Sequence, residues 1–131
     1  MNAVQLTVIA PCYNEAANVA TLAARTLAAL DRAGIAAELV LVDDGSADAT
    51  WDHILMQQQR DPRVRGVRHE ANQGIEGGWR SGLRAAGSEL VCLIDADLQN
   101  RPEDIPALYA AYCRGEGDVI QGVRHAPTGL S

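Results

Sequence analysis

Two carboxylates one residue apart, Asp95 and Asp97, close the apolar run Leu90-Val91-Cys92-Leu93-Ile94. An apolar run without polar alternation predicts a strand buried on both faces, as in a parallel sheet covered by helices. In an extended segment Asp95 and Asp97 project to the same side. Two hard oxygen donors held that close repel each other unless a cation lies between or beside them. Mg2+ and Mn2+ suit such a pair, commonly with one or two carboxylates and the phosphates of a substrate. The plainer reading is a strand-end turn whose aspartates cap the following helix. A divalent-metal site for a phosphorylated ligand is the sharper expectation, and the rest of the chain bears on it.

Two more polar clusters follow predicted strands. Residues 6–10 are β-rich, and Pro11 is expected to end that strand and open a turn through Glu15. A second strand over 38–43 ends in Asp43 and Asp44, with Gly45-Ser46 as its turn. Between them Val19, Leu22, Ala23, Leu27 and Leu30 recur at helical spacing, with Asn14 expected as N-cap and Gly34 as stop. A helix is expected from about Ala49, with Trp51, Ile54 and Leu55 inward, to Asp61-Pro62. A weaker third strand spans 64–68. A glycine-bearing loop over 69–78 then runs into a helix carrying Trp79, Leu83 and Ala86, closed by Gly87.

After the Asp95 strand, Pro102, Glu103 and Asp104 read as a helix start, the regular helix beginning near Asp104 because of Pro106. Its apolar side is Ile105, Leu108, Tyr109 and Tyr112, and Gly115 closes it. A fifth strand is expected over 118–122, followed by Arg124. Alternating strands and helices with short connections predict an α/β domain, a mostly parallel sheet with helices on both faces. One domain over residues 1–131 is expected, with no internal linker. In such a sheet the clusters Asn14/Glu15, Asp43/Asp44 and Asp95/Asp97/Gln99 all fall on the C-terminal edge, where open α/β sheets bind ligands.

Composition narrows the function classes. The net charge of −6 argues against nucleic acid as a partner, which needs a basic patch. No apolar run approaches the roughly 20 residues that span a bilayer, so a soluble chain with no membrane span is expected. Three cysteines, Cys12, Cys92 and Cys113, fit reduced cytosolic thiols better than a disulfide framework. All 11 basic residues are arginine. An acidic domain that binds a diphosphate must therefore supply positive charge by metal or clustered arginine.

Taken together the motifs become specific. Pro11-x-Tyr13-Asn14-Glu15 follows strand one, and Val42-Asp43-Asp44-Gly45-Ser46-x-Asp48-x-Thr50 follows strand two. The Asn72-x-Gly74 loop precedes a helix, and Asp95-Ala96-Asp97-Leu98-Gln99 follows strand four. This order resembles the family 2 glycosyltransferases of the GT-A fold over residues 6–124. Pro102-Glu103-Asp104-Ile105-Pro106 and Asp118-Val119-Ile120-x-Gly122-x-Arg124 are most similar to the polyprenyl-phosphate branch, which includes dolichol-phosphate mannose synthase.

The resemblance implies a metal-dependent enzyme moving a sugar from a nucleotide-diphosphate donor to an acceptor, in that branch a lipid phosphate. Pro11, Tyr13, Asn14 and Glu15 would border the base and ribose. An aspartate of the Asp43-Asp44 pair would accept a hydrogen bond from the base, the alternative being a turn and helix cap. Asp95 and Asp97 would hold Mg2+ or Mn2+ against the diphosphate, Asp95 thus serving nucleotide and metal alike. Gln99 would join the metal, or else is a solvated loop residue. Asp97 and Arg124 are the expected catalytic residues, Arg124 neutralising phosphate unless simply solvated. Arg80 and Arg84, after the glycine loop, read as a solvated face.

One departure matters: many relatives carry Lys-Gly in the Asn-x-Gly loop, whereas this chain has Ile75-Glu76-Gly77. A glutamate there brings no positive charge, so the loop is not expected to grip phosphate by side chain. Catalytic domains of the family are longer, so a C-terminally truncated, nucleotide-sugar-binding part is expected. It would be cytoplasmic, at the cytoplasmic membrane face in a full-length protein, and an exposed sheet edge would favour a homodimer. The rival outside enzymes is a non-catalytic nucleotide-binding relative. A receiver-like signalling domain needs acids after strands one and three and a lysine after strand five, and this chain has no lysine. A dinucleotide-binding domain needs Gly-x-Gly-x-x-Gly after strand one, which 11–15 lacks.

Overall fold

The computed structural model describes residues 3–115; the expected fifth strand over 118–122 and Arg124 lie outside them. The elements run β1 (Leu6–Cys12), α1 (Val19–Ala33), β2 (Ala37–Asp44), α2 (Thr50–Arg60), β3 (Val64–His69), α3 (Gly74–Ala85), β4 (Val91–Leu93) and α4 (Ile105–Cys113). A 3-10 turn, Pro102–Asp104, leads into α4. The strands form one parallel sheet in the order β3-β2-β1-β4. Every residue of β2 is buried, as expected for an inner strand covered on both faces.

Strand alternation sorts the core into two layers. Leu6, Val8, Ala10, Leu39 and Leu41 face one way, against Val19, Leu22 and Leu30 of α1, Ile54 of α2 and Ile105 of α4. Ile9, Val40 and Val42 face the other way, with Trp79 and Ala85 of α3 packed against them. Fully burying side chains of this size contributes roughly 1.5–3 kcal/mol each, so these layers fix the register of the sheet. A one-residue slip would turn each layer inside out.

Helix α3 lies close to the sheet because two glycines, one helical turn apart, face it. A Cβ on Gly78 would come within 2.6 Å of Pro11 Cβ, and one on Gly82 would collide with Ile9 Cγ2. The helix begins at Gly74, inside the segment expected as a loop. Of the loop glycines seen in the sequence, Gly78 serves helix-to-sheet approach.

Three further differences from the sequence expectation have physical reasons. Pro11 does not end β1, which continues to Cys12. The Thr7 N–H donates to Leu90 O at 3.0 Å and the Ile94 N–H to Ile9 O at 3.0 Å, so the backbone groups of Thr7 and Ile9 face β4. Pro11, two residues on, faces the same way, beyond the last β4 partner of β1 at Leu93. Its missing N–H therefore costs no ladder bond. Asn14 is not the N-cap of α1: that position is Asn18, while Asn14 sits in the left-handed region at φ 54°. Finally, β4 is only three residues long, and Val91 and Leu93 are half-buried, because β4 ends the sheet among the described residues. Gly34, by contrast, is the left-handed C-cap of α1 at φ 67°.

Candidate functional site

Because all strands are parallel, the loops after them gather at one edge. The β1 loop is lashed to the β2 loop by backbone donors. The Asn14 N–H bonds Ser46 Oγ at 2.9 Å, and Asn14 Oδ1 in return accepts the Ala47 N–H at 2.9 Å. The Glu15 N–H reaches Thr50 Oγ1 at 2.9 Å, and the Ala16 N–H reaches Asp48 Oδ2 at 3.3 Å. Asp48 itself accepts from the Thr50 hydroxyl and N–H, which holds its carboxyl below the usual range. The β2 turn needs Gly45, at φ 71°, where a Cβ would lie 2.6 Å from the Asn72 backbone nitrogen.

The loops enclose a cleft of about 340 Å³. Pro11, Tyr13 and Glu15 line it from the β1 loop, Asp44 from the end of β2, and Asp95 and Asp97 from the loop after β4. Tyr13 is half exposed. Asn72, Gly74 and Ile75 line it too. Sequence reasoning assigns none of these three to the site, because the loop glycines read equally as backbone approach or simple turning. The usable signal was its position, since any loop following a parallel strand reaches this edge. Asn14, Asp43 and Gln99 do not line the cleft, and Arg124 lies outside the described residues.

Asp43 and Asp44 are separated by the alternation of β2. Asp43, buried, accepts the Ser46 N–H at 3.0 Å and faces the Arg68 guanidinium, whose Nε lies 3.8 Å away. Arg68 in turn sits over the Trp51 ring, 5.5 Å from its centroid. This is a turn-and-packing role. The Asp44 carboxylate points instead to the start of α3. Its Oδ1 accepts the Gln73 N–H at 2.7 Å and lies 2.8 Å from His69 Nδ1, while its Oδ2 accepts the Gly74 N–H at 3.0 Å. An anion at a helix N-terminus is favoured by the unpaired N–H groups there.

The Asp95–Asp97 loop is fixed at several points. Asn100, buried, accepts the Asp95 N–H on its Oδ1 at 3.1 Å, and Asp97 Oδ1 accepts the Gln99 N–H at 3.1 Å. Leu98 between them adopts φ 65°. Glu103, just beyond, takes a forked bond from Arg25 of α1, and that guanidinium pulls the Glu103 carboxyl down to about 2. Gln99 is exposed in this loop. Cys12 is buried in its strand; burial first, then the negative charges of Glu15 and Asp43, push its thiol far above the usual range, so it is an inert packing residue.

Four acidic residues thus line the cleft, and among the described residues no arginine does. The donor set fits a hard divalent cation. Asp95 and Asp97 offer carboxylate oxygens, and among the described residues no third Asp, Glu, His or Cys completes a cluster with them. Mg2+ commonly takes one or two carboxylates and fills the rest of its shell with phosphate and water.

The model of glycosyl transferase family 2 matches residues 7–129. The chain belongs to this family. It is 39% identical over 120 residues to undecaprenyl-phosphate 4-deoxy-4-formamido-L-arabinose transferase of Edwardsiella ictaluri, covering 91% of this chain and 37% of that protein. The protein of the same name from Shewanella sediminis is 38% identical over 121 residues, covering 92% of this chain and 37% of the relative. The chain therefore spans little more than a third of the length of these relatives.

Among solved structures, S. aureus TarS 1-349 in complex with UDP-GlcNAc superposes with a TM-score of 0.65 at 25% identity, over 85% of this chain and 31% of that one. The mannosyltransferase PcManGT from Pyrobaculum calidifontis, in complex with GDP-Man and Mn2+, gives 0.65 at 25% identity over 79% and 32%. The sheet and helices described above are thus the GT-A arrangement of family 2 glycosyltransferases. Within this family 2 chain, the cleft at the C-terminal edge of the sheet is the candidate functional site.

Proposed function

We propose that this chain is the donor-binding part of a divalent-metal-dependent glycosyltransferase that moves a sugar from a nucleoside diphosphate to a polyprenyl phosphate. The observation that carries the reading is the joint placement of Tyr13, Asp44, Asp95 and Asp97 around one cleft that, among the described residues, no arginine lines. Among the described residues, a diphosphate entering such a cleft meets four carboxylates and no positively charged side chain, so a cation is expected to accompany it. Tyr13 and Pro11 flank the base, and Asp44 accepts a base N–H or a ribose hydroxyl. Asp95 and Asp97 hold Mg2+ or Mn2+ at the diphosphate end; Gln99, exposed and outside the cleft lining, takes no part in this reading.

A divalent cation there supplies electrostatic stabilisation of the diphosphate leaving group as the anomeric bond breaks. The relatives' names point to undecaprenyl phosphate as their acceptor. A phosphate acceptor is already an anion near neutral pH, so the described residues need supply no general base. Such an acceptor places the reaction at a membrane surface, on the cytoplasmic side where nucleotide sugars are made. Among the described residues, no helix is long and apolar enough to cross a membrane.

The test is to incubate the protein with radiolabelled UDP- and GDP-sugars, Mn2+ and undecaprenyl phosphate in detergent. Metal-dependent appearance of label in the lipid phase supports the reading. Donor binding without any transfer to a lipid phosphate, in a protein carrying the full length of the relatives, would overturn the acceptor assignment.

A further inference from the structure

Resting on the reading of the cleft as a nucleotide site, we infer that His69 is a positioning residue: it fixes the Asp44 carboxylate from behind, with Ser81 of α3 as the outer partner. His69 Nδ1 lies 2.8 Å from Asp44 Oδ1, and Nε2 lies 2.6 Å from Ser81 Oγ. His69 and Asp44 are both buried. The chain of contacts joins three elements, since Asp44 ends β2, His69 ends β3 and Ser81 lies in the body of α3.

The chemistry of the partners sets the proton positions. An ionised carboxylate only accepts, so Nδ1 carries the hydrogen that faces Asp44. With Nδ1 donating, Nε2 is the acceptor of a hydrogen bond from the Ser81 hydroxyl. A carboxylate offers about four acceptor positions. His69 and the N–H groups of Gln73 and Gly74 occupy three of those on Asp44, two on Oδ1 and one on Oδ2. One position on Oδ2 remains for a donor from the ligand. Without the ring, Oδ1 could swing, and the remaining position would no longer be aimed.

The order Asp44–His69–Ser81 is also that of a hydrolytic triad, but the surroundings do not support that use. Ser81 is not among the residues lining the cleft. Helical N–H groups around it are spent on backbone bonds, so no donors are free to receive an oxyanion. The ring therefore acts on Asp44, not on Ser81.

Two measurements on the whole chain decide this. The first is the tautomer of His69 by long-range 1H–15N correlation, above the usual imidazole titration range. A hydrogen on Nδ1 and a bare Nε2 is expected, and the reverse tautomer would overturn the inference. The second is calorimetric titration of UDP and GDP with Mn2+ present. His69→Leu is expected to weaken binding about tenfold or more, matching loss of one charge-assisted hydrogen bond. His69→Asn, whose amide can stand where Nδ1 stands, is expected to recover affinity to within about threefold, and Ser81→Ala to fall between. Equal affinity in folded His69→Leu and wild type would overturn the positioning role and leave the cleft reading standing. A wild-type chain that binds neither nucleotide would overturn the cleft reading, and this inference with it.

Discussion

Asp43 and Asp44 are neighbours in sequence, yet their carboxylates serve opposite faces of the sheet. Asp43 closes the β2 turn through the Ser46 N–H, while Asp44 lines the cleft and receives the start of α3. Their substitutions should therefore separate stability from binding. Asp43→Ala leaves the partly buried Ser46 N–H without its acceptor and Arg68 without its buried counter-charge, and is expected to cost about 1–3 kcal/mol of stability. Nucleotide affinity of its folded fraction should stay within about threefold of wild type, because the side chain is not in the cleft. Asp44→Asn is expected to abolish nucleotide binding while the fold persists. Urea unfolding and calorimetry on both variants check the pair, and a loss of affinity in Asp43→Ala equal to that in Asp44→Asn would contradict the assignment.

Close approach of α3 to the sheet depends on the absence of a side chain at Gly82, where a Cβ would collide with Ile9 Cγ2. Gly82→Ala gains helix propensity of up to about 1 kcal/mol. It must also push α3 away from a packed layer, an overpacking cost of roughly 1–3 kcal/mol. Net destabilisation is expected. Denaturant unfolding should show a lower midpoint with an unchanged slope, and a higher midpoint would mean that Ile9 gives way freely.

The Arg25–Glu103 pair anchors the segment that follows the Asp97 loop to α1. Its carboxyl is depressed from 4.5 to about 2, chiefly by the Arg25 hydrogen bonds. A depressed acid contributes stability that is present above its unfolded value and lost as pH falls through the folded one. Stability should therefore decline between about pH 4.5 and pH 2, and Glu103→Gln should flatten that part of the profile. Thermal midpoints of both proteins across this range test it; parallel profiles would show that the pair contributes nothing.

The strand ends and their acids were legible in the sequence because β-rich runs stopped at carboxylates and each intervening segment had helical periodicity. Parallel order then followed from alternation, and with it the common edge. What was not legible came from contacts between distant residues. Nothing local distinguishes Asp43 from Asp44 until alternation is tied to a known face of β2. Nothing local reveals the use of Gly78 and Gly82 either, because it is closeness to Pro11 and Ile9, some seventy residues earlier in the chain.

Glu38 shows the same limit at the other end of the sheet. It looks like a polar strand start. Burial pushes its carboxyl up, yet bonds from Arg65, the Gly87 N–H and Thr7 outweigh this and hold it below the usual range. A buried charge of this kind persists only with such partners, and the partners come from three other segments.

The most direct test of the central claim, that a divalent cation lets a diphosphate share the cleft with Asp95 and Asp97, is calorimetric titration of UDP and GDP with Mn2+ and again with EDTA. The account predicts that one or both nucleotides bind with Mn2+, that binding disappears with EDTA, and that Asp97→Asn loses the metal-dependent part without unfolding. Equal nucleotide affinity with and without the cation, or full metal-dependent binding by Asp97→Asn, would contradict it.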